Sequence, residues 1–211
     1  MQPEQSIAET SFTAIDFESA GTATGKTDAP VQIGTCTWSL ADGMSDTWIS
    51  YIHTDQKITW SAQKVHGITA SDLLNAPKLM LLWPKIKRRL NNHAVVAHGH
   101  GTEKRFLSAF PGHGFGPWID TLQLSRAAWP HLPSHSLGDL CRSLNLEAAT
   151  TAIVPDKTWH DALYDAAASI LILQKIIADF QLTDAPLSSL QNPNTRTWHS
   201  LRTPILPKLG A

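Results

Sequence analysis

The chain has 211 residues, 42% apolar and 17% charged, with eight tryptophans and a net charge of −1 at neutral pH. That length suits one domain with a sizeable core, and the tryptophans exclude disorder over most of it. The near-neutral balance excludes a global basic field of the kind that wraps long nucleic acid, so any polyanion contact must be local.

Residues 1–10, "MQPEQSIAET", form an N-terminal extension with neither a basic start nor an apolar run, so no secretory leader is expected. Residues 12–17 read as a buried strand, followed by the polar loop "ESAGTATGKTDAP". Within that loop "GTATGKT" imitates a phosphate loop, but it is one residue short between its glycines and "DAP" stands where the helix should begin, so a plain loop is expected. "VQIGTCTWSL" (31–40) and "DTWISYIHT" (46–54) are rich in β-branched and aromatic residues, with the hairpin signal "ADGMS" between them. "HGITASDLLNAP" gives a turn and a short helix, and "KLMLLWPKIKRRLNN" (78–92) is helical in pattern, with Pro84 as a kink or restart. Its Lys85, Lys87, Arg88 and Arg89 suit a solvated face better than a nucleic-acid groove.

"AVVAHG" (94–99) is a short apolar strand with a helix, "TEKRFLSAF", directly behind it. "PWIDTLQLSRAAW" is a strand running into a helix that Asp120 or Thr121 can cap, and "SHSLGDLCRSLNL" is another short helix. The longest helix, over 160–182, carries a broad apolar face of Ala166, Ala167, Ile170, Leu171, Leu173, Ile176 and Ile177. Three strands, helices, and then strand–helix repeats predict an α/β layer fold with a mixed sheet over residues 11–182. Residues 183–211 carry four prolines and no helical period, which predicts a flexible tail or an extended arm docked through Trp198, Ile205 and Leu206. Cys36 and Cys141 are too few and too far apart for a disulfide framework, and no stretch approaches the ~18 apolar residues of a membrane span. A cytoplasmic protein with no membrane contact is the expectation.

Three acidic clusters stand out. Asp16 and Glu18 are two apart on the first strand and share a face, where two ionised carboxylates would repel unless a divalent cation lay between them; both could equally be solvated beyond the strand's end. Glu103 opens a helix behind a strand, where it could serve a site or only offset the helix dipole. His160 and Asp165, in "WHDALYDAAAS", converge only if His160 sits on a loop before the helix, as Pro155 upstream would allow. Singly, each also reads as an ordinary surface residue.

In order, however, "AIDFES", "KVHGITASDL", "VVAHGHGTEKRFL", "WIDTLQLSRAAW" and "HDALYDA" resemble the motifs of the DEDDh (DnaQ-like) 3′→5′ exonucleases over roughly residues 11–181. The resemblance implies an RNase H-like fold, a mixed five-stranded sheet flanked by helices. It implies hydrolysis of the terminal phosphodiester at single-stranded DNA or RNA 3′ ends by two Mg²⁺ or Mn²⁺ ions, releasing nucleoside 5′-monophosphates. Asp16, Glu18, Glu103 and Asp165 would hold the metals, His160 would act as general base, and Phe17, His66, Gly67 and Ile68 would contact the terminal nucleotide. For Phe17 and Ile68 plain core packing is the competing reading. Glu103 stands where the family usually has Asp, so a catalytically weak relative that binds nucleic-acid ends or a protein is a second hypothesis. A third is a metal hydrolase built on the His98/His100 pair. Nothing in the sequence separates DNA from RNA or points to a polymerase partner, and a homodimer through the Pro-rich arm stays open.

Overall fold

The computed structural model describes residues 4–22 and 27–202. Five strands, β1 (Ser11–Ser19), β2 (Pro30–Ser39), β3 (Gly43–Tyr51), β4 (Ala94–Ala97) and β5 (Trp118–Asp120), form one sheet in the order β3-β2-β1-β4-β5. β1, β2 and β3 pair antiparallel, whereas β4 runs parallel to β1, and β5 parallel to β4. The helices among the described residues are α1 (Trp60–His66), α2 (Ala70–Leu73), α3 (Leu79–Leu90), α4 (Gly101–Leu107), α5 (Thr121–Ala128), α6 (Leu137–Ser143), α7 (Glu147–Ile153), α8 (Ala162–Asp179), α9 (Ser188–Gln191) and α10 (Thr195–Arg202).

The period of two in β1 decides which layer each side chain joins. Phe12 and Ala14 face α8 and share its core with Cys36, Trp38 and Val96. Ile15 and Phe17 face the other way, into a second core with Ile33, Ile86, Val95 and Phe106. β2 is buried along nearly its whole length because it has a helical layer on one face and apolar neighbours on the other. Asp120 is the residue that caps α5, accepting from the main-chain N–H groups of Leu122 and Gln123.

Several details depart from the sequence reading. α1 is not among the expected elements: it lacks an apolar period because none of its residues is buried, and its ends are set by the Thr59 cap and by Gly67 at φ 73°. α7 is likewise unforeseen. Pro84 lies inside a continuous α3, and β3 begins at Gly43, within the predicted turn. The expected tail is no loose tail through Trp198. It folds into two short helices, Leu187 and Leu190 are buried, and Trp198 is fully buried with its ring edge-on to Phe180 of the same chain. The N-terminal extension zips onto it: Ile7 N–H donates to Ala185 and Leu187 N–H to Gln5. Ile205, Leu206 and residues 23–26 of the expected plain loop lie outside the described residues. Both cysteines are buried and free, and among the described residues no helix is long and apolar enough to cross a membrane.

Candidate active site

The site begins where β1 parts from β4. Their pairing ends at Ala14↔Val96, whereas β1 continues beside β2 through Asp16↔Gly34 and Glu18↔Gln32. β1 then carries the chain toward β2 and β3, and β4 carries it toward β5. A crevice therefore opens at the carboxyl ends of β1 and β4, the switch point at which open α/β sheets bind ligands. Asp16 and Glu18 project there on the α8 face, continuing the row of Phe12 and Ala14.

The first turn of α8 reaches them because position 34 has no side chain. A Cβ on Gly34 would stand 2.2 Å from the Ala162 carbonyl carbon and the Leu163 nitrogen, so only glycine lets the helix lie this close beside Asp16. Asp165, one turn into α8, is thereby brought to Glu18. On the other side β4 passes through a tight turn, with Gly99 at φ 84° and its N–H donating to Asp120, into α4, whose first turn presents Glu103. Glu103 is 5% exposed. Its Oε2, like Asp165 Oδ1, is buried with no hydrogen-bond partner among the described residues.

The electrostatics follow from this crowding. Burial, and then the charges of Asp165, Glu103 and Glu18, push the Asp16 carboxyl well above the usual carboxylate range. Burial and the charge of Asp165 push Glu18 up to about 8. Burial lifts Glu103 to about 7, and lifts Asp165 to about 7 against the pull of the His160 amide. Four carboxyl groups that resist ionisation together, two of them with orphaned oxygens, make a hard, anionic donor set suited to divalent cations such as Mg²⁺ or Mn²⁺.

His160 sits on the loop before α8, with φ 66°, exposed. Ligand atoms of Glu18, His160 and Asp165 all lie within 4.8 Å of one another. A neighbouring cavity of about 280 Å³, lined by Gly138, Arg142 and Trp159 among others, also opens onto His160 and Asp165. The structure therefore brings Glu18, His160 and Asp165 together, with Asp16 and Glu103 coupled to this group through their charges.

The expected nucleotide-contacting group divides. Ile68 is 4% exposed and packs with Ala20, Val31, Ile58 and Leu73, so its side chain is a core element. The Phe17 side chain is likewise core, edge-on to Phe106 at 5.4 Å. His66 engages main chain through both ring nitrogens: Nε2 bonds the Ser19 carbonyl at 3.0 Å and Nδ1 accepts the Ile68 N–H at 3.0 Å. It ties the turn around Gly67 to the end of β1, and a groove of about 320 Å³ lined by Glu18, Ser19, Val65 and His66 runs alongside.

Among the described residues neither His98 nor His100 belongs to a cluster of three metal-ligand side chains. His98 bonds Thr121 Oγ1 and the His135 carbonyl, fixing the strand–helix turn, while His100 lies edge-on to Trp118 beside Lys104. Lys85 and Arg89 lie over the Trp48 ring, and Arg89 pairs with Asp46 at 2.6 Å, so that half of the basic run glues α3 to β3.

Sequence reasoning passes over two residues that shape the site. Gly34, an isolated glycine in a strand, is the available signal of a close backbone approach. Gln32, polar between Val31 and Ile33 and 1% exposed, donates from Nε2 to Asp161 Oδ2 at 3.1 Å and accepts the Ala162 N–H at 2.9 Å.

Comparison with known proteins gives a consistent picture. The RNase_T family, described as exonuclease, matches residues 13–173. A PolC-type DNA polymerase III of Bacillus cereus is 25% identical over 178 residues, which cover 82% of this chain and 12% of the polymerase. The 3′-5′ exonuclease DinG of Staphylococcus haemolyticus is 27% identical over 190 residues, 88% of this chain and 20% of that protein. The chain thus spans only a small part of the length of these relatives. Among solved structures, exonuclease X in complex with 5′-overhanging duplex DNA superposes with a TM-score of 0.69 at 23% identity, covering 86% of this chain and 99% of that one. The nuclease domain of 3′hExo, a DEDDh family member bound to rAMP, gives a TM-score of 0.66 at 16% identity over 80% and 92% of the two chains.

Proposed function

This chain belongs to the DnaQ-like 3′→5′ exonuclease family, with its RNase H-like fold, and we propose that it hydrolyses the terminal phosphodiester of single-stranded DNA or RNA 3′ ends, releasing nucleoside 5′-monophosphates. What supports the reading is the electrostatic crowding of Asp16 by Glu18, Glu103 and Asp165, with two buried carboxylate oxygens left without partners among the described residues.

Asp16, central among the four, would face both of two bound ions; Glu18 and Asp165 would hold one side and Glu103 the other. Two such divalent ions, when bound, would stabilise the attacking and leaving oxygens of an in-line displacement. The protein's own groups do the rest. An imidazole nitrogen of His160 takes the proton from the attacking water, acting as the general base. The exposed turn that carries His160 leaves its imidazole, already within 4.8 Å of ligand atoms of Glu18 and Asp165, open to an arriving substrate phosphate. The groove beside α1, lined by Glu18, Ser19 and His66, would receive the last nucleotides, with the adjoining main chain at Phe17 and Gly67 within their reach. A near-neutral protein with local contacts suits short single-stranded ends, and two buried free thiols suit the reducing cytoplasm.

The test is a sequencing gel of 5′-labelled single-stranded DNA, RNA and 3′-mismatched duplex incubated with Mn²⁺ or Mg²⁺. A ladder shortening from the 3′ end, absent with chelator and in Asp16→Asn, is expected. Intact substrate under all of these conditions would overturn the assignment and favour the catalytically weak, end-binding relative that Glu103 raises.

A further inference from the structure

We propose that Gln32 is a positioning residue for the reaction, holding the His160 turn in register with Glu18. The inference rests on His160 acting as the base. Gln32 is the register partner of Glu18, so one rung of the sheet carries an acid of the site on β1 and a buried amide on β2.

A buried amide must place its donors and acceptor, and this one places them on the first residues after His160. Its Nε2 bonds Asp161 Oδ2, and its Oε1 takes the otherwise unpaired Ala162 N–H at the start of α8. Asp161 is held further by Lys157 at 3.0 Å and by the Leu163 N–H at 3.1 Å. On the other side Trp159 lies edge-on against Tyr164 at 4.9 Å. His160 is thus an exposed residue between two fixed neighbours, in a left-handed conformation that a non-glycine residue keeps only when its surroundings impose it. An apolar residue at position 32 would fill the strand equally well. What it would not do is tie the Glu18 rung to the turn that aims the imidazole.

A displacement of about 1 Å at a reacting group costs on the order of 10²-fold in rate. With a 5′-labelled single-stranded oligonucleotide and saturating Mn²⁺, Gln32→Met should therefore lower kcat by about that factor. KM and calorimetric Mn²⁺ affinity should stay within about twofold, because the carboxylates are untouched. The decisive readout is a cycle with His160→Ala: in that background Gln32→Met should cost nothing further in kcat, because its whole effect passes through the imidazole. A helix cap of merely structural value would lower both backgrounds alike, and that result overturns the proposal.

Should Gln32→Met fail to fold, the reciprocal exchange decides. Gln32→Glu sets a carboxylate against Asp161 and should lose activity, while adding Asp161→Asn restores the donor–acceptor pair with reversed polarity and should recover most of kcat. A folded double variant as slow as Gln32→Glu alone would also overturn it. Full single-turnover rate in His160→Ala would instead remove the general base itself, a separate outcome that leaves the metal-site reading standing.

Discussion

The two halves of β1 use the same face of the same strand for opposite purposes. In the first half Phe12 is fully buried, stacks on Trp38 at 5.6 Å, and is flanked by β2 and β4. In the second half the row continues as Asp16 and Glu18, β4 has fallen away, and burial plus mutual repulsion raises the pKa of both carboxyls. The first half is where the strand stabilises the fold. The second is where the stability so gained offsets the cost of keeping like charges close, which is what a divalent cation needs.

The contrast is tested most severely by removing the charge and leaving the shape. Asp16→Asn should abolish exonuclease activity, by at least ~10³-fold, a typical cost of deleting a group that acts on developing charge. The metal-free protein should melt at the same temperature or higher, because one member of a repelling set is gone. A lower melting temperature in Asp16→Asn would show that the acids contribute to folding after all. The complementary change, Phe12→Ala, should cost about 3–5 kcal/mol in denaturant unfolding. The fraction that remains folded should keep its turnover.

The division should also appear in pH. Glu18 titrates at about 8 and Glu103 and Asp165 at about 7 in the fold, all above their unfolded values, so the folded state binds more protons. That contribution is fully present below the unfolded pKa values and is lost as pH rises through the folded ones. Buried histidines such as His98, whose pKa burial lowers, act in the opposite sense, but only below about pH 6.5, where they charge in the unfolded chain. Urea titrations of the metal-free protein should therefore show stability falling between about pH 6.5 and 8.5, by up to a few kcal/mol. Added Mn²⁺ should flatten the profile, since the ion then takes the place of the protons. A metal-free profile flat across that range would mean the carboxylates are neither crowded nor desolvated.

Much of this was legible in the sequence because strand and helix periods are local. Phe12, Ala14, Asp16 and Glu18 must share a face, and the convergence of His160 with Asp165 requires His160 to precede the last helix, which begins at Ala162. What could not be read was set by contacts far along the chain. Gln32 looks like a lapse in an apolar strand until its partners, 129 and 130 residues away, are known. Ile68 has the same neighbours in sequence whether it meets a base or, as here, Ala20 and Val31. α1 is held by its two caps and by the bond from His66 to the Ser19 carbonyl, with no buried residue of its own, so no hydrophobic period announced it.

Glu103 sits between the two regimes, 5% exposed like a core residue and yet an acid of the site. Its reach is set by α4, whose start is fixed by the Gly99 turn and the Asp120 bond. Glu103→Asp would draw the carboxylate back by roughly 1.5 Å, one carbon–carbon bond, from a backbone that has little freedom to follow. The longer side chain already places Oε2, which has no partner among the described residues, in the field of Asp16. Shortening it should lower kcat by no more than about tenfold, the smallest effect expected here, because an intervening water can span part of the gap. Glu103→Gln, which keeps the length and removes the charge, should be the worse of the two. A gain in kcat for Glu103→Asp would reverse the inference: the natural glutamate would then be a misfit, and the protein an enzyme held below the rate its other three carboxylates allow.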